Sequence, residues 1–121
     1  MLSISLDFKG NAKNAMEFYA NVFEYTLSDS DIMLDENNKV AHGELKIYGI
    51  TLMFTDWVEE VEKYSGFSLS INLDNEAELQ HRFNKLSDGA EILMPLGKVS
   101  WSECYGMLKD KFGVTWQFNL D

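Results

Sequence analysis

One cysteine, two histidines and ten basic residues are few for 121 positions, and each shortage narrows the chemistry open to this chain. Cys104 has no second cysteine to bond, so no internal disulfide can form, and a reducing compartment suits it. The ten Lys and Arg face twenty Asp and Glu, for a formal net charge of −10. Such a chain repels phosphate backbones and anionic bilayers, which argues against nucleic-acid and membrane partners. It steers cationic ligands toward itself weakly, at long range. No apolar run reaches membrane-spanning length, and no basic N-terminal region precedes a long apolar one, so a soluble, cytoplasmic protein is expected. There is no GxSxG motif and no His-Asp-Ser set for nucleophilic catalysis. No glycine-rich turn joins a strand to a helix in the manner that cradles a nucleotide-like cofactor, so no cofactor is expected.

What the chain does have is an internal repeat. Gly43-Glu44-Leu45-Lys46 followed by Gly49-Ile50-Thr51 returns as Gly106-Met107-Leu108-Lys109 followed by Gly113-Val114-Thr115. The strand starts echo each other too, Leu2-Ser3-Ile4-Ser5-Leu6-Asp7 against Leu69-Ser70-Ile71-Asn72-Leu73-Asp74. A period of roughly 65 residues is too long for a solenoid unit and fits a duplicated half-domain. With 45% hydrophobic residues the whole is expected to form one domain over 1–121, with halves 1–56 and 67–121 and a connection over 57–66.

Each half reads as strand, helix and three strands. Leu2, Ile4, Leu6 and Phe8 alternate with polar residues, a strand with one apolar face. Asn11 is a candidate N-cap for a helix whose stripe is Ala12, Ala15, Met16, Tyr19, Val22 and Phe23. A weaker strand is expected over 25–34, then strands over 39–48 and 50–55. The second half restarts at 68, with Asp74 or Asn75 capping a helix striped by Leu79, Phe83 and Leu86. Strands follow at about 91–96, 101–109 and 114–120. The fold class is therefore α+β, two tandem βαβββ modules with helices on the outer face of each sheet.

The side of each sheet away from its helix carries Ser3, Ser5 and Asp7; Thr51, Met53 and Thr55; Ser68, Ser70 and Asn72; Thr115, Gln117 and Asn119. An unpaired buried polar group costs about 1–3 kcal/mol, so this face must meet water or a polar ligand. The economical arrangement is a curved mixed sheet around a shared, wet cavity. In the third strand of each half the same alternation adds His42 and Glu44, with Tyr105 and Met107 as their repeat partners. Glu44, two residues from His42, could orient its imidazole for proton transfer. Trp101 stands at a strand start, where its ring could stack on a flat or cationic ligand.

The segments Phe8-Lys9-Gly10-Asn11-Ala12 with Ala15-Met16-Glu17-Phe18-Tyr19, His42-Gly43-Glu44-Leu45, Met94-Pro95-Leu96, and Trp101 with Tyr105-Gly106 and Asp110-Lys111-Phe112-Gly113-Val114 carry a resemblance. The chain resembles the vicinal oxygen chelate superfamily (the glyoxalase/bleomycin-resistance fold), and within it the PhnB-like branch. The resemblance spans nearly the whole chain and implies paired βαβββ modules, commonly in a homodimer. It also implies four metal positions, which fall on Ser3, Met53, Ser68 and Gln117. Serine is a poor ligand for a divalent ion, methionine is soft, and only Gln117 has a usable carbonyl, so no metal is expected there. A register slip of two residues would bring in Ser5, Ser70 and Asn119, which are no better. PhnB-like sequences have also been labelled as ubiquinone-pathway methyltransferases, for which the chain offers no cofactor loop.

The expected function is metal-independent binding of a small molecule, by analogy with drug-sequestering members of the fold. The candidate ligand-binding residues are Ser3, Ser5, Asp7, Met53, Ser68, Ser70, Trp101, Tyr105, Gln117 and Asn119, and a cationic or aromatic guest suits them. The alternatives are an enzyme that uses His42 and Glu44, or Tyr105, for proton transfer, and a dimeric scaffold whose cavity is vestigial.

Overall fold

The two periodicities resolve, in a computed structural model that describes residues 2–57 and 66–121, into a pair of compact units, Met1–Glu62 and Lys63–Asp121. The expected connection over 57–66 falls almost entirely outside the described residues. The first unit contains β1 (Ile4–Asp7), α1 (Ala12–Val22), β2 (Ile32–Leu34), β3 (Val40–Ile47) and β4 (Ile50–Thr55). The second contains β5 (Leu69–Leu73), α2 (Glu76–Leu86), β6 (Glu91–Val99), β7 (Ser102–Lys109) and β8 (Thr115–Leu120). Each unit is one four-stranded mixed sheet, ordered β1-β4-β3-β2 and β5-β8-β7-β6. The outer pairs β1/β4 and β5/β8 are parallel and the rest antiparallel. The helical crossover after β1 and after β5 is what allows a parallel partner.

Each helix lays its apolar stripe on its own sheet. In the first unit Ala12, Ala15, Met16, Tyr19 and Val22 are buried with Leu6, Leu45, Leu52 and Phe54, and the Tyr19 ring meets that of Phe54 at 5.9 Å. In the second, Leu79, Phe83 and Leu86 are buried with Leu108, Trp116 and Phe118, and Phe83 meets Phe118 edge-on at 5.5 Å. The repeated glycines lie where helix and third strand come closest. A Cβ on Gly106 would stand 2.7 Å from Leu96 Cδ2, 3.0 Å from the Phe83 ring and 3.2 Å from the Met94 carbonyl. A Cβ on Gly43 would run into the Met16 thioether. Glycine is required there by proximity, not by backbone angle.

Four expectations need correction. The strand over 25–34 shrinks to Ile32–Leu34. The hydroxyl and carboxylate of Ser28-Asp29-Ser30-Asp31 instead fold a capping box and a 3-10 turn over Asp29–Asp31. The strand expected to stop near 96 runs on to Val99 past Pro95, which β6 tolerates because it is an edge strand with register shifts. Leu2, expected on the apolar face of the first strand, precedes β1 and is exposed, as is Ile50 at the start of β4. Asn11 is at the N-cap of α1 but makes no side-chain cap bond. Asp56 takes that task from 44 residues away. Its Oδ1 accepts from Gly10 N at 2.7 Å and Ala12 N at 3.0 Å, and its Oδ2 from Val40 N at 3.0 Å. Asn75 does cap α2, accepting from Glu78 N at 2.9 Å.

Candidate functional site

Strand register sets the polar residues of each sheet side by side. In the first unit Ser5 and Glu44 flank Met53, and Asp7 pairs with Thr55. In the second, Ser70 and Met107 flank Gln117, and Asn72 and Tyr105 flank Asn119. These are the faces turned from the helices, since the alternating neighbours Leu52, Phe54, Trp116 and Phe118 are buried beneath α1 and α2.

The second unit carries the more tightly organised of the two faces. The Tyr105 hydroxyl donates to Gln117 Oε1 at 2.5 Å, and Gln117 Nε2 donates to Ser68 Oγ at 2.7 Å. Both ends of the amide are therefore used, which fixes its orientation and leaves the Ser68 proton to be donated outward. The Trp101 indole meets Tyr105 edge-on, centroids 5.2 Å apart, so an aromatic pair borders the polar relay. Asn119 Oδ1 is cut off from solvent and has no hydrogen-bond partner among the described residues.

On the first unit's face the Ser3 hydroxyl donates to the Met53 sulfur at 3.3 Å, a weak acceptor. Asp7 is committed locally, accepting from Thr55 Oγ1 at 2.9 Å and from Lys9 N at 3.2 Å. His42 Nε2 and Glu44 Oε1 lie 3.0 Å apart, and both side chains are part-exposed at 40% and 46%. Sequence reasoning did not find their neighbours Tyr25 and Asp31. The Tyr25 hydroxyl donates to Asp31 Oδ1 at 3.2 Å. Burial, the Asp31 charge and hydrogen bond, and the Glu44 charge together push the Tyr25 phenol above its usual range. The Ser28 backbone N–H, followed by the Ser28 hydroxyl and Tyr25, holds the Asp31 carboxyl below its own, against a smaller push from burial. A serine and aspartate run ahead of a short strand was the only signal for this cluster.

Two further residues prove structural. Asp110 is buried and accepts from Phe112 N at 2.9 Å, Val114 N at 3.0 Å and Trp116 Nε1 at 2.8 Å. The Asp-Lys-Phe-Gly-Val segment is thus a stapled turn that anchors the core tryptophan. Cys104 is buried, and that burial, with the Glu76 charge, raises its thiol pKa, so it is a poor nucleophile. Trp57 is exposed.

The four positions that the resemblance implies for a divalent ion do not suit one here. Ser3 is bonded to a thioether, Ser68 to an amide, and the Gln117 carbonyl is already taken by Tyr105. None is an ionisable ligand, and among the described residues no three His, Cys, Asp or Glu side chains converge on one point. Nor do the helix N-termini suit a nucleoside-type methyl donor. The first amide of α1, Ala12, and the preceding Gly10 amide are held by the Asp56 carboxylate, and α2 opens on Asn75 with Glu76 and Glu78 in its first turn.

Comparison with known proteins fits this geometry. Residues 1–119 match the family model described as 3-demethylubiquinone-9 3-methyltransferase. Protein PA1353 from Pseudomonas aeruginosa is 34% identical, with a TM-score of 0.84 over 100% of this chain and 98% of that one. A PhnB protein from Bacillus cereus is 30% identical, with a TM-score of 0.83 over 99% and 98%. Protein YjdN from Escherichia coli (strain K12) is 26% identical, the match covering 98% of this chain and 94% of that protein. The family model and the two structures at 30% and 34% identity place the chain in the 3-demethylubiquinone-9 3-methyltransferase family, among PhnB-like proteins.

Proposed function

We propose that this protein binds a small molecule on the polar faces of its sheets, without a divalent metal. The observation that carries the reading is the Tyr105–Gln117–Ser68 relay. It occupies metal-ligand positions of the superfamily with a fixed pattern of neutral donors and acceptors, backed by an aromatic pair. Such a pattern recognises a polar organic ligand by orientation and leaves an ion without charged ligands. The acidic surface and the Asp7 and Glu44 carboxylates favour a cationic or aromatic guest. The protein works as a cytoplasmic homodimer in this reading. The edge strands support it, since β2 leaves Met33 and Leu34 exposed and β6 leaves Ile92, Leu93 and Met94 exposed.

A thermal-shift screen in the presence of a chelator tests the proposal. A ligand at one hundred times its Kd stabilises the folded state by about 2.7 kcal/mol. At least one compound is expected to raise the melting temperature of the wild type and not of Gln117→Ala. Shifts that appear only when zinc, nickel or manganese is restored would overturn the reading. The 3.0 Å contact between His42 and Glu44 favours a second reading, in which the bound molecule is also turned over by proton transfer at His42. His42→Ala would then bind the same compound and lose turnover.

A further inference from the structure

At one end of the second unit's sheet lies a groove of about 320 Å³, bordered by the β6–β7 hairpin and the end of β8. Its lining includes Lys98, Trp101, Ser102, Glu103, Leu120 and Asp121. None of Ser68, Tyr105, Gln117 or Asn119 lines it, but Trp101, the aromatic that borders the polar relay, does, so the groove adjoins that site and the inference rests on the reading of Trp101 as a ligand-stacking residue.

The floor of the groove is preformed. The Ser102 hydroxyl donates to the Leu120 carbonyl at 2.6 Å, tying the hairpin to β8, and also accepts from Cys104 N at 3.2 Å. Asp121 N donates to the Leu73 carbonyl at 2.8 Å, which fixes the far wall to β5. The wall that matters most is Trp101. Trp101 is 63% exposed and meets the Tyr105 ring at a steep angle, centroids 5.2 Å apart. A large aromatic so exposed offers ring surface to a ligand.

The charges around it have one sign in excess. Glu103 and Asp121 are both carboxylates, and the single ammonium of Lys98 lies 3.5 Å from Glu103, with both side chains about three-quarters exposed. That pair is loose and leaves Asp121 without a cation among the groove's lining residues. An exposed indole, two carboxylates in the same lining and a volume at the small end of ligand pockets together describe a site for a compact organic cation. We propose that this groove binds a small quaternary or protonated amine, stacked on Trp101 and balanced by Asp121.

The full chain can be tested with choline and its uncharged isostere 3,3-dimethylbutan-1-ol, which have the same shape and differ in the nitrogen charge. Indole N–H resonances, assigned to Trp101 by comparison with Trp101→Leu, report occupancy. Choline is expected to shift the Trp101 resonance saturably, with the alcohol at least fivefold weaker. Asp121→Asn should weaken choline about two- to fivefold, and raising the salt concentration should weaken it further. Trp101 lies on the surface, so Trp101→Leu is expected to fold, which circular dichroism checks, and to lose the choline response measured by calorimetry. Equal response to choline and the alcohol, no saturation at Trp101, or undiminished calorimetric binding in Trp101→Leu would overturn the proposal. The wild-type comparison of the two probes decides the question even if a variant does not fold.

Discussion

Replacing Asp56 should damage the first unit more than replacing any exposed aspartate, by an amount that the hydrogen bonds set. Its carboxylate accepts from Gly10 N, Ala12 N and Val40 N. Gly10 is exposed, so in Asp56→Ala its amide returns to water. Ala12 and Val40 are buried at 0% and 1% exposure, and their amides are left without partners. Each such group costs about 1–3 kcal/mol, so the expected loss is about 2–6 kcal/mol, centred near 4. For a chain of this length 1 kcal/mol corresponds to about 3–5 °C, so the melting temperature should fall by about 6–30 °C, and by about 12–20 °C for the central value. Asp56→Asn can keep a carbonyl toward Gly10 and Ala12 but sets an amide group against the Val40 N–H. It should lose about half as much. Asp35 accepts from Asn37 N and Lys39 N in an exposed turn, where water replaces the carboxylate, so Asp35→Ala should stay within about 0.5 kcal/mol of wild type. Urea unfolding followed by circular dichroism gives the energies, and amide exchange at Ala12 and Val40 should quicken in Asp56→Ala. A loss below about 1 kcal/mol for Asp56→Ala, or an Asp56→Asn as severe as Asp56→Ala, would refute the reasoning.

Three further outcomes are expected. Gly106→Ala should destabilise by about 1–3 kcal/mol and Gly43→Ala by less, because Gly106 faces a rigid ring and a backbone carbonyl while Gly43 faces a pliable thioether; paired urea titrations compare them. The Asp31 carboxyl pKa is lowered on folding, so its contribution is complete above the ordinary carboxyl range and disappears as pH falls through the lowered value; Asp31→Asn should flatten the stability profile below about pH 4. Burial raises the Cys104 thiol pKa, so Ellman's reagent should label the native protein far more slowly than the urea-unfolded protein at pH 8.

The halves, the helices and the polar faces were legible because they depend on local rules. Alternation placed Leu52, Phe54, Trp116 and Phe118 beneath the helices and Met53 and Gln117 opposite them, as strand geometry requires. The repeated glycines were visible as letters, but their reason, the approach of Met16 and Phe83, needed the packed structure. Residues 25–34 misled because Ser28 and Asp31 bond locally and compete with strand pairing, which composition alone does not weigh. The strand expected to stop near 96 continues to Val99 because an edge position tolerates Pro95. Asp56 and the Tyr105–Gln117–Ser68 relay join residues from 12 to 49 positions apart, and the polar residues of a face can be named from sequence without knowing which of them meet. Asp110 belonged to a motif recognised by resemblance, and its work proved to be holding a turn and Trp116 Nε1.

The most direct measurement is a crystal structure of the protein grown in chelator with the strongest thermal-shift ligand. The account predicts ordered ligand density within hydrogen-bond distance of Ser68 or Gln117, with the Tyr105–Gln117 bond intact and no ion in the site. A divalent ion coordinated through Gln117, or a ligand seated only on the helix side of the sheets, would contradict it.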